Sequence, residues 1–450
     1  MSKILSKLRN KHFLALAGNM VIALFGFITT GILYRLLSKS DAGKWVLFIT
    51  VLSICDGFRN GFLGTATVKF YAGTAYQKGA RVLGSVWFLA MMLTLGVLLI
   101  NAAWLFALPY LHDDEGILII KWAGLTFLSS LPFSVIYWKL QADEDYIQML
   151  WLKMVNSIST PLSFVLLYFF GKITLENIVV WNLLTNCLTS AAGLIFGLGR
   201  IKTVFRSSKE NIMELVHFGK HSMGASLSAT LLSSADTFII RIVLGPAALA
   251  VYNVPRNLMQ FVEMILRTFV GTGMSGMAIA FNQKNMHQVT YILKKYAGML
   301  TFALMPLTLG AILFADVAIR AMSGGKYVGT EAANIFRLFM IFCLVFPIDR
   351  FNGVTLDIIH KPKINFYKVI LMLVMTVITD FAALAVYKDL YSVAIAGFIT
   401  TLVAIFFGYY HLRKYISYTI SEILSTGLSE IKVYTRKYTR LISGKRDSID

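Results

Sequence analysis

Residues 44–72 read KWVLFITVLSICDGFRNGFLGTATVKFYA, an apolar stretch long enough to cross a bilayer that carries Asp56 and Arg59 three positions apart near its middle. About 20 predominantly apolar residues span the hydrocarbon core as a helix. A charge inside such a stretch is costly unless it faces protein or a water-filled cavity. The same conflict recurs at Arg256, Arg267, Arg337 and Arg350, each inside another apolar stretch of spanning length. These stretches predict a polytopic membrane protein whose interior offers a path to something large and anionic.

The composition agrees: 57% of residues are hydrophobic and only 14% charged, with a mean hydropathy of +0.68, far from a soluble globular chain. Twelve spans are expected, at 12–37, 44–72, 80–108, 116–140, 145–170, 174–199, 214–243, 247–279, 289–319, 328–358, 363–387 and 391–413. The net charge of +19 does not indicate nucleic acid, because the cations sit in the connectors between spans. Lys3, Lys7, Arg9 and Lys11 precede the first span; Arg200, Lys202, Arg206 and Lys209 follow the sixth; Lys361, Lys363 and Lys368 follow the tenth. The positive-inside rule places these connectors and both termini in the cytoplasm. The apolar run around Ala15-Leu16-Ala17 continues to Leu37, so an uncleaved first helix is expected in place of a signal peptide.

The most polar internal break, Arg200 to Asn211, divides six spans from six. The expected organisation is an N-terminal lobe over 1–200, a cytoplasmic linker over 201–213, a C-terminal lobe over 214–415 and a tail over 416–450. A shift of 207 positions lays Asp56 on Glu263 and Gly43 on Ala250, a weak internal repeat in which both halves keep one orientation. In the tail, Ile420, Ile423, Leu424, Leu428, Ile431 and Tyr434 recur at helical spacing ahead of Lys432, Arg436, Lys437 and Arg440. That pattern fits a helix lying on an anionic leaflet, and equally a tail that tolerates truncation.

Several short motifs have plainer explanations. Gly271-Thr272-Gly273-Met274-Ser275-Gly276 matches the letters of a dinucleotide fingerprint but lacks the strand that precedes one; close helix packing explains it. His217 and His221 share a helical face without a third ligand, so no metal site is expected. Cys55, Cys187 and Cys343 fall inside spans and read as packing residues. The polar loop His112-Asp113-Asp114-Glu115 offers carboxylates that a membrane glycosyltransferase would need, or a solvated turn.

The intramembrane charges carry more. Asp56 with Arg59, Glu263 with Arg267 and Asp349 with Arg350 are close enough for local pairing, whereas Arg256 and Arg337 have no acid at helical spacing. Guanidinium grips phosphate bidentately and stays charged, so Arg256 and Arg337, with Arg59, Arg267, Arg350 and Lys153, and more distantly Lys121, are the candidate ligands of a phosphate-bearing substrate. Asp236 and Asp380, lone acids in the seventh and eleventh spans, are candidates for proton or Na⁺ coupling. Pro161, Pro306 and Pro347 are candidate bends. No cofactor and no catalytic set is expected.

Phe218-Gly219, Ala235-Asp236-Thr237-Phe238-Ile239-Ile240, Val243-Leu244-Gly245 and Val251-Tyr252 together resemble the seventh-helix pattern of the polysaccharide biosynthesis and O-antigen-type oligosaccharide flippase families, within the multidrug/oligosaccharidyl-lipid/polysaccharide exporter superfamily. Leu33-Tyr34-Arg35-Leu36-Leu37 with Asp41-Ala42-Gly43 is similar to their first loop, Ala42 standing where an aromatic is usual. Met305-Pro306, Gly325-Lys326-Tyr327 and Ala332-Ala333 follow the same order further on. The resemblance covers about residues 10–415. It implies an all-α integral membrane fold of two six-helix lobes around a central cavity, like that of multidrug exporters of the same superfamily. It implies a bacterial inner-membrane flippase that moves an undecaprenyl-diphosphate-linked oligosaccharide to the outer leaflet by alternating access, with membrane lipids, a polymerase and glycosyltransferases as partners. Two alternatives stay open: a cation-coupled exporter of amphipathic molecules, using Asp236 and Asp380, and a membrane glycosyltransferase or polymerase.

Overall fold

The computed structural model describes residues 11–106, 108–110 and 113–442, with helices joined by turns and no strand among the described residues. Hydrocarbon offers the backbone no water to bond, so each segment closes its own N–H to C=O ladder as a helix. The chain forms two compact units.

The first unit comprises the chain up to Ala250 together with Ala321–Lys326. It begins with α1 (Lys11–Leu36) and α2 (Lys39–Arg59), which continues through a π-helical turn at Asn60–Gly64 into α3 (Thr65–Tyr71). Then come α4 (Tyr76–Leu105), the consecutive helices α5 (Asp114–Ser129) and α6 (Leu131–Ala142), α7 (Tyr146–Phe169), α8 (Leu175–Ile195) and α9 (Lys209–Leu244). Its core is centred on the fully buried Trp87, which packs with Leu63, Leu83 and Val135 and donates its indole N–H to Gly199 O at 2.9 Å. The segment Ala321–Lys326 joins this unit partly through Lys326, whose Nζ donates to Leu37 O at 3.1 Å.

The second unit comprises Val251–Arg320 and the chain from Tyr327 onward. It holds most of α10 (Pro246–Asn282), α11 (Met286–Leu313), most of α12 (Ala315–Ser323), α13 (Ala332–Phe342), α14 (Phe346–Ile358), α15 (Pro362–Tyr387), α16 (Leu390–Leu412) and α17 (Ile420–Ile442). Eleven described helices or joined helices are long and apolar enough to cross a membrane, and α1 supplies a shorter apolar stretch, Val21–Leu36, in the place of the first expected span.

The polar linker expected at 201–213 contains a short turn of 3₁₀ helix, Ile201–Arg206, and the change of compact unit falls later, after Ala250. The reason is a seam of small residues between α2, its π-helical turn and α9. A Cβ added to Gly57 would lie 2.6 Å from Thr230 Oγ1, and one added to Gly61 would lie 2.5 Å from Ser226 Cβ. Ser226 Oγ also donates to Gly57 O at 3.2 Å. Glycine at these points lets the backbones approach closely, the usual basis of helix association where lipid removes the hydrophobic drive.

The ninth and tenth expected spans are each divided. The ninth breaks after Leu313, where α12 begins. The tenth passes through a 3₁₀ turn at Cys343–Val345 before α14, because Pro347 sits in the first turn of α14, where its missing N–H costs nothing but an uninterrupted ladder cannot form. Pro161 and Pro306 lie inside α7 and α11 without ending them.

In the second unit α17 docks along α11. A Cβ at Gly427 would overlap the backbone of Gly298, and Ile423 is fully buried. Glu430 accepts from Lys295 Nζ at 2.6 Å and from the Tyr291 hydroxyl. These two bonds, the lysine's first, hold the Glu430 carboxyl below its ordinary range. A lowered pKa in the folded chain contributes stability that is complete above the unfolded value, about 4.3 for glutamate, and is lost as pH falls through the lowered one. Amide exchange of α17, corrected for its intrinsic pH dependence, is therefore expected to stay slow above that range and accelerate below it. Glu430→Gln should abolish this step.

Candidate functional site

A cavity of about 500 Å³ opens within the first unit. α2 contributes Ile49, Leu52, Ser53, Asp56 and Gly57, positions spaced three and four apart that form one helical face. Asn60 follows from the π-helical turn. α5 and α6 contribute Thr126, Phe133, Ser134, Tyr137 and Trp138, Ser130 lies between them, and Lys153 on α7 with Asn182 and Asn186 on α8 close the wall.

Arg59 stands behind this wall. Its side chain is 1% exposed, while that of Asp56 is 49% exposed. Nη2 donates to Asp56 Oδ1 at 2.6 Å, Ser130 Oγ at 2.8 Å and Ser134 Oγ at 2.9 Å. Nη1 donates to Phe127 O at 3.2 Å, and the guanidinium carbon stands 4.1 Å from the Phe127 ring centroid. Nε is buried without a hydrogen-bond partner. A buried cation needs acceptors to offset its lost hydration, and here α2, α5, α6 and the residue between them supply these acceptors. Arg59 thus fixes the Asp56 carboxylate and two serine hydroxyls at the cavity surface through its terminal nitrogens.

Lys153 is the cation that lines the cavity. Its Nζ lies 4.6 Å over the Tyr137 ring, and it makes no ion pair among the described residues. Around it runs a row of amides. Asn156 Nδ2 donates to Asn186 Oδ1 at 3.1 Å and Thr189 Oγ1 at 3.3 Å; Asn186 Nδ2 lies 3.4 Å from Asn182 Oδ1; Trp138 Nε1 donates to Asn60 Oδ1 at 2.7 Å. An amide both donates and accepts, so this wall can meet hydroxyl groups in either sense, beside aromatic faces that can cover apolar C–H surface.

The other expected ligands lie elsewhere. Arg337, which has no acid at helical spacing, pairs across helices with Asp316 at 2.5 Å and donates to Asn334 Oδ1 at 2.6 Å and Ile312 O at 3.2 Å. Its acid comes from α12, 21 residues earlier, beyond the reach of a search along one helix. Arg267 pairs with Glu263 at 3.0 Å and is 81% exposed. Arg350 is exposed and Arg256 half-buried, as is Asp236, while Asp380 is fully buried. Asp349 bonds to Lys368 Nζ at 2.8 Å, not to Arg350, since adjacent helical residues point about 100° apart.

His112 lies outside the described residues. The acids that follow it are engaged: Asp114 with Lys44 at 3.3 Å, Asp113 with Arg241 at 3.0 Å, and Glu115 with Arg241 as well. The Gly271–Gly276 motif lies within the continuous helix α10. The His217 and His221 rings stand 5.8 Å apart, and no group of three metal-ligating side chains occurs among the described residues.

A family model described as "Polysaccharide biosynthesis protein" matches residues 32–332. The chain belongs to this family. No curated protein matches it significantly. Among solved structures, it resembles an inward-facing multidrug resistance MATE transporter of the MOP superfamily, with a TM-score of 0.71 and 16% identity over 88% of this chain and 96% of that one. It resembles the lipid II flippase MurJ in an inward closed conformation equally well, with a TM-score of 0.71 and 13% identity over 97% and 94%. A MOP superfamily transporter from Pyrococcus furiosus, whose description reports a binding pocket of reversed polarity, gives a TM-score of 0.62 at 16% identity over 89% and 93%. At such identities these likenesses show the fold alone, the two-lobe helical fold of those transporters, and the eleven long apolar helices among the described residues make the chain a multi-pass membrane protein.

The cavity residues beyond Asp56 and Lys153 were not singled out from sequence. The available signal was Asn182 and Asn186, amides four apart inside an apolar span. Arg59→Met, which keeps bulk but removes every donor, is expected to cost the fold about 2–4 kcal/mol, read as a lower thermal unfolding midpoint in detergent. Arg267→Met, which removes a single pair with Glu263, should lower the midpoint less than Arg59→Met does.

Proposed function

We propose that this member of the polysaccharide biosynthesis family is a flippase in the bacterial inner membrane, with both termini cytoplasmic, that moves an undecaprenyl-diphosphate-linked oligosaccharide from the inner to the outer leaflet by alternating access. The observation that supports this most directly is the cavity's combination of an amide and hydroxyl wall, aromatic rings and one lining cation without a carboxylate partner. In this reading the amides and the Arg59-held serines bond sugar hydroxyls, and the rings of Tyr137 and Trp138 cover the sugars' C–H faces. Lys153 attracts the diphosphate in a site where limited solvent strengthens the attraction. Arg59 acts as a positioning residue. Arg256, in the second unit, is the further candidate for the diphosphate, while Arg337, Arg267 and Arg350 are weaker ones given their partners and exposure. Proton or Na⁺ coupling through Asp236 or Asp380 belongs to the same proposal, as do a polymerase and glycosyltransferases as suppliers and users of the glycolipid.

A second reading has one observation in its favour. Asp56 presents a half-exposed carboxylate to the cavity, which suits a cationic amphiphile. The two readings separate on which charge matters. In a deletion strain, the flippase reading expects lipid-linked oligosaccharide to accumulate on the cytoplasmic face. Wild type should clear it, and Lys153→Met should clear it at least about tenfold more slowly, the effect of losing roughly 1.4 kcal/mol of substrate attraction. Unchanged glycolipid distribution in the deletion, together with a gain in sensitivity to cationic drugs that Lys153→Met still rescues, would support the exporter instead.

A further inference from the structure

The hydroxyl groups of the cavity wall have directions as well as positions. A serine or threonine hydroxyl carries a single proton. Ser53 donates its proton to Ile49 O at 2.8 Å, Thr126 to Trp122 O at 2.8 Å, Ser130 to Phe127 O at 2.9 Å and Ser134 to Ser130 O at 3.0 Å. Backbone carbonyls only accept, so all four protons are spent on the helices, and the four oxygens that line the cavity are left with lone pairs only. Ser130 and Ser134 each accept from Arg59 Nη2 as well, which still leaves each of them one lone pair.

Asp56 completes this corner. Its Oδ1 accepts from Arg59 at 2.6 Å and its side chain is 49% exposed; a carboxylate has about four lone-pair sites, so others remain for a ligand. The side of the wall built by α2, α5 and α6 thus offers a carboxylate and four hydroxyl oxygens, all as acceptors. A ligand hydroxyl placed there can give one proton, and its own two lone pairs then meet those of the wall. An ammonium has three donors and no lone pair. Arg59 balances the charge of Asp56, so the corner selects by the number of donors more than by net charge. Lys153 on α7 has donors only, so the two sides of the wall call for opposite partners: donors at Asp56 and an anion at Lys153.

We propose that this corner is a subsite for a primary ammonium group, held by Asp56 with Ser130 and Ser134, and that the ammonium belongs to an unacylated amino sugar of the transported glycan. The ammonium follows from the hydrogen-bond directions; the amino sugar rests on the flippase reading. The substrate is then dipolar, with its ammonium at Asp56 and its diphosphate attracted to Lys153. Arg59, bonded to the same three oxygens from behind the wall, positions them without meeting the ligand. N-acetylation replaces three donors by one and brings in a carbonyl oxygen, so the corner discriminates between the free and the acetylated amine.

The test measures binding to the full chain in nanodiscs by saturation-transfer NMR with four water-soluble probes: methyl glucosaminide, its N-acetyl derivative, methyl glucoside and propylamine. Methyl glucosaminide is expected to bind at least about tenfold more tightly than the N-acetyl derivative or methyl glucoside, the difference that a charge-assisted hydrogen bond makes. Its binding should fade as pH rises through the sugar ammonium's own pKa, measured on the free probe, and that of propylamine only at the higher pKa of that amine. Titration of a protein group facing the cavity, whether Asp56, Arg59, Tyr137 or Lys153, would instead move both together. Asp56→Asn should remove most of the preference. Because that variant leaves Arg59 without its carboxylate, Ser134→Ala, which keeps the ion pair, is the second: it should weaken methyl glucosaminide more than methyl glucoside. Propylamine binding as tightly as methyl glucosaminide would overturn the amino sugar and assign the ammonium to a free amphiphilic amine. Equal binding of methyl glucoside and methyl glucosaminide, or fading of both amines at one pH, would overturn the subsite while the flippase reading stood with a neutral glycan.

Discussion

The buried guanidinium of Arg59 imposes the condition around which the first unit is arranged. Hydrocarbon and packed side chains cannot replace the water it loses, so oxygen acceptors have to converge on it from several directions. Asp56 comes from the same helix, Phe127 O from α5, Ser134 from α6 and Ser130 from the residue between those two. Satisfying one side chain therefore fixes the relative placement of α2, α5 and α6, and those helices form most of the cavity wall. The π-helical turn immediately after Arg59 presents Asn60 to Trp138, extending the same fixed arrangement by another hydrogen bond.

Charge is handled differently in the second unit. Lys368 and Asp349 form a buried pair between α14 and α15, and Asn352, fully buried beside them in sequence, accepts from Tyr418 Oη at 2.8 Å. The weak repeat that aligns Asp56 with Glu263 does not extend to environment. Asp56 is held by a buried arginine at the edge of a cavity, whereas Glu263 pairs with an arginine that is 81% exposed. Two halves that share a helical scaffold can thus hold their polar groups for different purposes.

The sequence made the membrane class, the approximate spans and the Asp56–Arg59 pairing legible, because hydropathy and same-helix spacing are properties of one segment at a time. The family pattern was legible for the same reason, in short runs such as Ala235–Ile240. What needed the structure was convergence between segments. Arg337 looked unpaired because its acid, Asp316, belongs to another helix. Asn156 and Asn186 are 30 residues apart and meet only where α7 packs on α8. The close packing of the seventh span on α2 through Gly57 and Gly61 is likewise a contact between segments distant in sequence. Only the short side chains at those positions allow that approach, and their significance depends on which helix stands opposite.

In the proposed transport cycle the amide-lined cavity of the first unit receives the glycan of a lipid-linked substrate. This is tested most directly by placing the photo-crosslinker p-benzoylphenylalanine at Tyr137 in cells that make the glycolipid, with exposed Phe381 on α15 as the comparison site. A glycan-bearing adduct is expected from position 137 and little or none from 381. Efficient transport with no adduct at 137, or equal adducts at both positions, would contradict it.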